Sequence, residues 1–286
     1  NKLVEGVVTE ALPKSTVGLN LLVFTAWLHY GLGVTIHHIR EVLNFHLHFK
    51  LSAGGLVHMW KRLYEILNVW YEALADEARE STYLHADETG WRVNGITNWL
   101  WCFSNERVVY FMIDRSRGSP ALREFFKEIF GGVLITDFWK AYRKFTKHHQ
   151  ACFVHLFREL AKVSLKNASL EWNTFCKKLT RWMRDAVRLD KNEEIAEESF
   201  YSLKERLKVR LKEFIGLSFT DKDCCRIQKR LRDFQDALLT FLDYDGVVSD
   251  NNKAEREIRP AVIMRKNSGQ NKSEKGAQIQ AALMSI

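Results

Sequence analysis

The segment from residue 83 to residue 137 restricts the fold more than any other part of the sequence. It alternates strand-like runs with turn signals and one helical run. The Asn94-Gly95 pair favours a two-residue hairpin, because both residues tolerate positive φ. Short connections of this kind predict an antiparallel meander of three strands. The strands are predicted at 83–93, 96–103 and 108–113.

The chain after this meander is predicted to return in the same direction. A helix is predicted over 121–130, ended by Gly131-Gly132, and a buried apolar strand over 133–137 follows it. Because a helical crossover connects parallel strands, the fourth strand is expected to lie parallel to the first. The further elements predicted here are a surface loop at His148-His149, a fifth strand at 151–154 and a helix at 155–165.

This order of elements matches the ribonuclease H-like topology by analogy of fold. The predicted fold class is α/β, a ribonuclease H-like mixed sheet with a large helical insertion and an N-terminal helical region. The N-terminal helices are compatible with a DNA-binding helix-turn-helix, and an ordinary helical bundle is the alternative. The predicted regions are 1–80 for the N-terminal helices, 81–165 for the first part of the core, 166–248 for the insertion and 249–286 for the C-terminal part of the core.

The charge of the chain favours an anionic partner. The sequence contains 43 Lys and Arg residues and 35 Asp and Glu residues, a formal net charge of +8. Such a chain attracts nucleic acid, although an ordinary cationic surface is the alternative. Within the insertion, four basic residues share the helix face opposite an apolar stripe, where they contact DNA phosphates or form a solvated face. They are Lys177, Arg181, Arg184 and Arg188.

The cysteines and the apolar runs indicate the compartment. Five cysteines, an odd number without a C-x-x-C pair, argue against a disulfide framework and for a reducing environment. The longest apolar run, near residues 19–28, is too short and too interrupted to span a membrane. We therefore expect a cytoplasmic protein without a membrane partner.

Three acidic residues are the candidates for chemistry. Asp87 and Asp137 lie late in two strands that are predicted to be parallel neighbours, and unpaired buried carboxylates would be costly. A divalent cation removes that cost, and Mg²⁺ prefers carboxylate oxygen. Glu255 is the third candidate, on a helix whose shared face also carries Arg259. Asp250 is a rival that we expect to cap this helix, and strand-end hydrogen bonds are the alternative role for each aspartate.

Several motifs resemble the insertion sequence 66 family of transposases. They occur in the family's order and at its intervals, and they cover roughly residues 84–155 and 250–286. Cys152 and His155 belong to a C-x-x-H element, for which a structural role is favoured over zinc binding. The motifs are HADETGWRVNG at 85–95, DRSRG at 114–118, LITDFWKAY at 134–142, CFVHL at 152–156 and DNNKAEREIRP at 250–260.

The resemblance implies a DNA transposase of the DDE type, with Asp87, Asp137 and Glu255 as catalytic metal ligands. It implies two Mg²⁺ ions, for which Mn²⁺ can substitute, and cleavage at transposon ends followed by strand transfer to target DNA. The partners implied are double-stranded DNA and further copies of the chain, as a homodimer or higher multimer, in the bacterial nucleoid. Arg256 and Arg259 are expected to bind DNA. The alternatives are a ribonuclease H-like nuclease and a domesticated DNA-binding relative, both without strand transfer.

Overall fold

The computed structural model describes residues 10–286, which form a mixed α/β protein with a five-stranded sheet. The chain divides into two compact units. The described part of the first unit covers 10–78, 88–117 and 256–286, and the second unit covers 79–87 and 118–255. Within residues 10–286, no helix is both long enough and apolar enough to cross a membrane.

Three helices form the N-terminal region of the first unit. They are α1 (Leu19–Ala26), which continues as a π-helical turn at Trp27–Gly31, α2 (Ile36–Leu47) and α3 (Ala53–Glu80). Ser52 caps α3, because its hydroxyl accepts a hydrogen bond of 2.9 Å from the backbone N–H of Gly55. The apolar faces of the three helices share one core, in which Leu43, Leu56 and Trp60 are buried.

The sheet has the strand order β3-β2-β1-β4-β5. The strands are β1 (Tyr83–Val93), β2 (Ile96–Ser104), β3 (Val109–Asp114), β4 (Phe130–Thr136) and β5 (Thr146–Ala151). The predicted hairpin between β1 and β2 is confirmed, since Asn94 and Gly95 have φ values of 50° and 77°. The predicted parallel pairing of β1 with β4 is also confirmed.

The connection between β3 and β4 differs from its prediction. Helix α4 (Ser119–Phe126) ends four residues before the predicted end, and strand β4 already begins at Phe130. The two glycines that were predicted to end the helix lie inside β4. A Cβ atom on Gly132 would lie 2.4 Å from the carbonyl oxygen of Thr82, so the absence of a side chain allows the two backbones to approach.

The position predicted for the fifth strand was wrong. Strand β5 ends at Ala151, the residue where the predicted strand began, and helix α5 (Phe153–Ser164) follows. His148 and His149, predicted to lie in a surface loop, are residues of β5, and His149 is buried. The polar residues of β5 are accommodated by specific hydrogen bonds. The buried Gln150, for example, accepts the backbone N–H of Phe241 at 2.9 Å through its side-chain oxygen.

The helical insertion shares a hydrophobic core with β4, β5 and α5 in the second unit. It contains α6 (Leu170–Asp190), α7 (Glu197–Gly216) and α8 (Lys222–Asp233), followed by short 3₁₀ turns at Gln235–Ala237 and Thr240–Leu242. Two apolar stripes of the insertion are buried. The first lies on α6, whereas the second continues from α8 into the segment of 3₁₀ turns that follows it. Their members are Phe175, Leu179, Trp182, Ala186 and Leu189 in the first, and Ile227, Leu231, Phe234, Leu238 and Phe241 in the second.

Two helices end the chain, α9 (Asn252–Ser268) and α10 (Glu274–Ser285). Helix α9 continues past Pro260. Ser273 caps α10, because its hydroxyl accepts a hydrogen bond of 3.1 Å from the backbone N–H of Gly276.

Candidate active site

The two candidate aspartates lie at corresponding positions on neighbouring parallel strands. Strand β1 pairs with β4 at an offset of 50 residues, as in the pair His85 and Ile135. Continuing this register by two residues brings Asp87 level with Asp137, which directly follows the last residue of β4. Adjacent strands in a sheet are about 4.8 Å apart, so both carboxylates belong to one locality. Each aspartate is half-buried.

The chain around Asp137 turns sharply and holds its carboxylate. The Oδ1 atom of Asp137 accepts a hydrogen bond of 2.8 Å from the backbone N–H of Trp139. The hydroxyl of Thr136 donates to the Asp137 carbonyl oxygen, also at 2.8 Å. The charge of Asp137 also acts on the guanidinium of Arg230. Burial lowers the pKa of Arg230, and the negative charge of Asp137 opposes that shift. The carboxylate is thus oriented by the backbone and faces a partly buried cation.

A buried asparagine anchors the start of α9 beside β1. The Asn251 side chain donates a hydrogen bond of 2.8 Å to the carbonyl oxygen of Ala86, the residue before Asp87. Its Oδ1 atom lies 3.1 Å from Nδ1 of the buried His85. Its backbone N–H contacts the Cys152 sulfur at 3.1 Å. These contacts tie the residue that precedes α9 to β1 and to Cys152.

Glu255 lies one helical turn beyond that anchor. Its backbone N–H bonds to the carbonyl oxygen of Asn251 at 3.3 Å. Its carboxylate is held by α5, since Nη1 of Arg158 donates to Oε1 at 2.7 Å and to Oε2 at 2.9 Å. The Nε2 atom of His155 is 3.6 Å from Oε1. The hydrogen bond that Arg158 donates to Glu255 raises the pKa of Arg158 above its ordinary value.

The donor atoms at this site suit a hard divalent cation. Mg²⁺ is usually bound through one or two carboxylates and completes its shell with water and substrate phosphates. Asp87 and Asp137 supply such a pair on adjacent strands. Among residues 10–286, no three His, Cys, Asp or Glu side chains are gathered closely enough to hold one ion by themselves. The third carboxylate is instead engaged by Arg158.

Comparison with known protein families places the chain. The model of the Transposase IS66 family matches residues 14–279. The chain belongs to this family. The family resemblance predicted from the motifs is therefore confirmed, and membership implies a transposase, a DNA-processing enzyme that binds DNA. No curated protein gives a significant match to the chain.

Two further acids near the motifs of this IS66-family chain have other partners. The Asp250 carboxylate accepts a hydrogen bond of 2.9 Å from the backbone N–H of Asn252, the first residue of α9. This contact agrees with the predicted capping role. The Glu88 carboxylate is 3.1 Å from the Arg117 guanidinium and almost fully buried. Neither acid is needed to explain the site.

The C-x-x-H element of this family lies against the start of α9. Burial raises the pKa of the Cys152 thiol to about 11. Cys152 contacts Asn251 and His155 approaches Glu255, which agrees with the structural role favoured for this element.

The basic residues predicted to bind DNA are exposed. The four basic residues predicted to share one face of α6 are exposed, and we call them the α6 stripe. They are Lys177, Arg181, Arg184 and Arg188. Arg256 and Arg259 on α9 are also exposed. Arg181 lines an open cleft of about 610 Å³ together with Lys178 of α6 and with Arg206 and Arg210 of α7. The arginines of α7 were missed by sequence reasoning, because their helix face becomes basic only when it is paired with α6.

Sequence reasoning also missed Arg158 at the candidate site. Cys152, His155 and Arg158 recur every third residue, and this spacing puts them on one face of a helix. The C-x-x-H motif extended by three residues could therefore have indicated Arg158. The role of Asn251 has no local signal either, because its bonding partner Ala86 is distant along the chain.

Proposed function

We propose that this protein is a DDE-type DNA transposase with a ribonuclease H-like core, in which Asp87, Asp137 and Glu255 are the catalytic acids. The reaction proposed is metal-dependent cleavage at transposon ends, followed by transfer of the 3′-hydroxyl strand to target DNA. The observation that carries the proposal is the β1–β4 register, which brings the two aspartates level. Membership in the Transposase IS66 family supports it independently.

The strand arrangement supports the ribonuclease H-like part of the proposal. The sheet places a parallel pair, β1 and β4, between an antiparallel meander and β5. In open sheets, ligands bind at the carboxyl ends of parallel strands. Asp137 directly follows the end of β4, and Asp87 lies within β1, two residues beyond His85, the last residue in register with β4.

The candidate acids would hold two Mg²⁺ ions, for which Mn²⁺ can substitute. When bound, such a pair supplies a polarised attacking oxygen and stabilises the leaving oxygen of a phosphodiester. The residues of the chain orient this site. The Trp139 N–H holds the Asp137 carboxylate, and Asn251 ties the start of α9 to β1, one helical turn before Glu255.

The exposed basic residues would hold the DNA. Phosphate contacts position a duplex without reading its sequence. We assign this role to the α6 stripe, to Arg256 and to Arg259, all of which are exposed. The partners proposed are double-stranded transposon ends and target DNA. Because strand transfer pairs two ends, we also propose that the protein acts as a homodimer or higher multimer in the cytoplasm, on the nucleoid.

The proposal is tested by replacing Asp137 with asparagine, which preserves shape and removes charge. In Asp137→Asn, Mg²⁺-dependent plasmid nicking and joining of a pre-cleaved 3′-hydroxyl end are expected to fall by about 10³-fold or more, since a metal ligand contributes several kcal/mol. The matched control is Asp236→Asn, which removes a surface carboxylate 2.7 Å from Arg143. It should retain activity.

The same assay separates the alternatives. Nicking that depends on Asp137 without any joining would identify a nuclease. DNA binding without Mg²⁺-dependent nicking in the unmodified protein would identify a binding protein that has lost the reaction. Activity of Asp137→Asn equal to that of the control would remove Asp137 from the mechanism.

A further inference from the structure

The contact between Arg158 and Glu255 occupies both oxygens of a proposed metal ligand. One guanidinium nitrogen lies 2.7 Å and 2.9 Å from the two carboxylate oxygens. These are the atoms through which Glu255 would bind a cation. A cation and a guanidinium cannot share both oxygens without bringing like charges together. Arg158 therefore competes with the cation for the Glu255 carboxylate.

The position of Arg158 lets it leave Glu255 at low cost. Its side chain is 55% exposed, whereas that of Glu255 is 24% exposed. A long exposed side chain exchanges partners readily, and an exposed ion pair contributes little stability. The Nε2 atom of His155 lies 3.6 Å from Oε1 of Glu255.

Arginine also suits the ligand that would arrive next. A guanidinium binds carboxylate and phosphate oxygens with the same fork of donors. Arg158 lies next to a proposed phosphodiester-cleaving site. An arginine released from Glu255 would find a DNA phosphate within reach.

We propose that Arg158 is a positioning residue that holds Glu255 before the cation binds, and that it then exchanges the carboxylate for a phosphate oxygen of DNA. This inference rests on the proposed function, because it takes Glu255 to be a metal ligand. The exchange couples the two events: cation binding frees the arginine, and DNA receives it. No covalent bond changes in this step.

The first test measures Mn²⁺ binding in the absence of DNA, from the electron paramagnetic resonance signal of the free ion. Arg158→Gln removes the competitor and is expected to tighten Mn²⁺ binding by about threefold to tenfold, the range of a solvent-accessible ion pair. Arg158→Lys keeps the charge and should bind Mn²⁺ like the unmodified protein. The matched control is Arg226→Gln, which removes an arginine paired with Glu159 and Asp223.

A second background tests whether the effect passes through Glu255. In Glu255→Gln, replacing Arg158 with glutamine should change Mn²⁺ affinity by less than about twofold. The reason is that the carboxylate for which Arg158 and the cation compete is gone. Unchanged or weaker Mn²⁺ binding in Arg158→Gln would overturn the inference. So would an effect of equal size in the Glu255→Gln background.

The phosphate half of the exchange is tested by the salt dependence of DNA binding. With Mn²⁺ present, Arg158→Gln should lower the slope of log affinity against log salt by about one, because one phosphate contact is lost. Without Mn²⁺, the slope should not change. Equal slopes under both conditions would overturn the exchange. Failure of the proposed function is distinguishable, because Asp137→Asn would then leave Mn²⁺ binding unaltered.

Discussion

The second unit contains two polar regions of opposite construction. Around Asp87 and Asp137, the polar groups are few, half-buried or buried, and engaged by defined partners, as Asn251 is by Ala86 and His85. On the outer face of α6, the charged groups are many and exposed. In the first region, directed hydrogen bonds between individual groups determine the arrangement. In the second, the shared feature is the charge of many exposed side chains.

This difference indicates how each region responds to substitution. In a buried hydrogen-bond network, the loss of one partner leaves others unsatisfied, so single changes have large effects. On an exposed basic face, each residue contributes a small and nearly independent amount. The chemistry should therefore depend on individual residues around Asp87 and Asp137, and DNA affinity should depend on the sum over α6.

The largest expected effect is that of Asn251→Ala. It leaves the Ala86 carbonyl and the His85 ring without the bonds that Asn251 makes. The free energy of unfolding should fall by about 2–4 kcal/mol, the cost of two unsatisfied buried groups, and Mg²⁺-dependent nicking should fall with it. Urea denaturation measures the change.

The neighbouring Asn252 provides the matched control for that substitution. It is half-buried at the first position of α9, and Asn252→Ala should change stability by no more than about 0.5 kcal/mol. Equal destabilisation by the two variants would contradict the special role of Asn251 and, with it, the contrast between the two regions.

The next effect in size concerns the α6 stripe as a whole. Replacing all of its residues, Lys177, Arg181, Arg184 and Arg188, with glutamine should weaken duplex binding by about 10-fold to 100-fold. It should also lower the salt slope by up to about 3.6, which is about 0.9 for each phosphate contact. Folding stability should stay nearly constant, because these side chains are exposed. Fluorescence anisotropy at several salt concentrations measures both quantities.

A charge-matched control tests whether the stripe itself matters. It replaces the same number of exposed lysines elsewhere in the second unit, namely Lys144, Lys147, Lys162 and Lys166. If this variant binds DNA as weakly as the α6 variant, net charge alone explains the affinity, and the stripe has no particular role.

The smallest expected effect is a pH dependence of stability from His149 in β5. Burial, aided by the charge of Arg143, lowers the pKa of His149 to about 3. Between an unfolded pKa of about 6.5 and this value, only the unfolded chain takes up the proton, so stability falls as pH falls. The contribution is at most about 1.4 kcal/mol per pH unit in that window and is absent above it.

Urea denaturation at pH 7 and pH 5 measures this dependence, with His149→Gln as the comparison. The variant should lose less stability than the unmodified protein on going to pH 5. An equal loss of stability between pH 7 and pH 5 in the two proteins would show that His149 does not titrate as its burial requires.

Much of the fold follows from local rules. The meander strands were predicted to within about one residue at each end, because alternation and the Asn94-Gly95 turn act over short distances. The apolar stripe of α6 was predicted for the same reason. The parallel pairing of β1 with β4 also followed, since a helical crossover leaves a parallel return as the expected connection.

The errors fall where distant residues determine local structure. Gly131 and Gly132 are typical of a helix end, yet they lie in β4, where close approach of the Thr82 carbonyl excludes a Cβ at Gly132. The polar run before Ala151 is typical of a loop, yet it forms β5 through pairing with β4 and the bond between Gln150 and Phe241. Neither partner is visible in a local window.

The sequence by itself determined the family, the order of elements and the identity of the candidate acids, because motifs and periodicity are properties of consecutive residues. Only the tertiary structure decided what surrounds those acids. The contact of Arg158 with Glu255 spans 97 positions and that of Asn251 with Ala86 spans 165. Such pairs form when the sheet and helices assemble, since hydrogen bonds depend on distance and angle in space and not on separation along the chain.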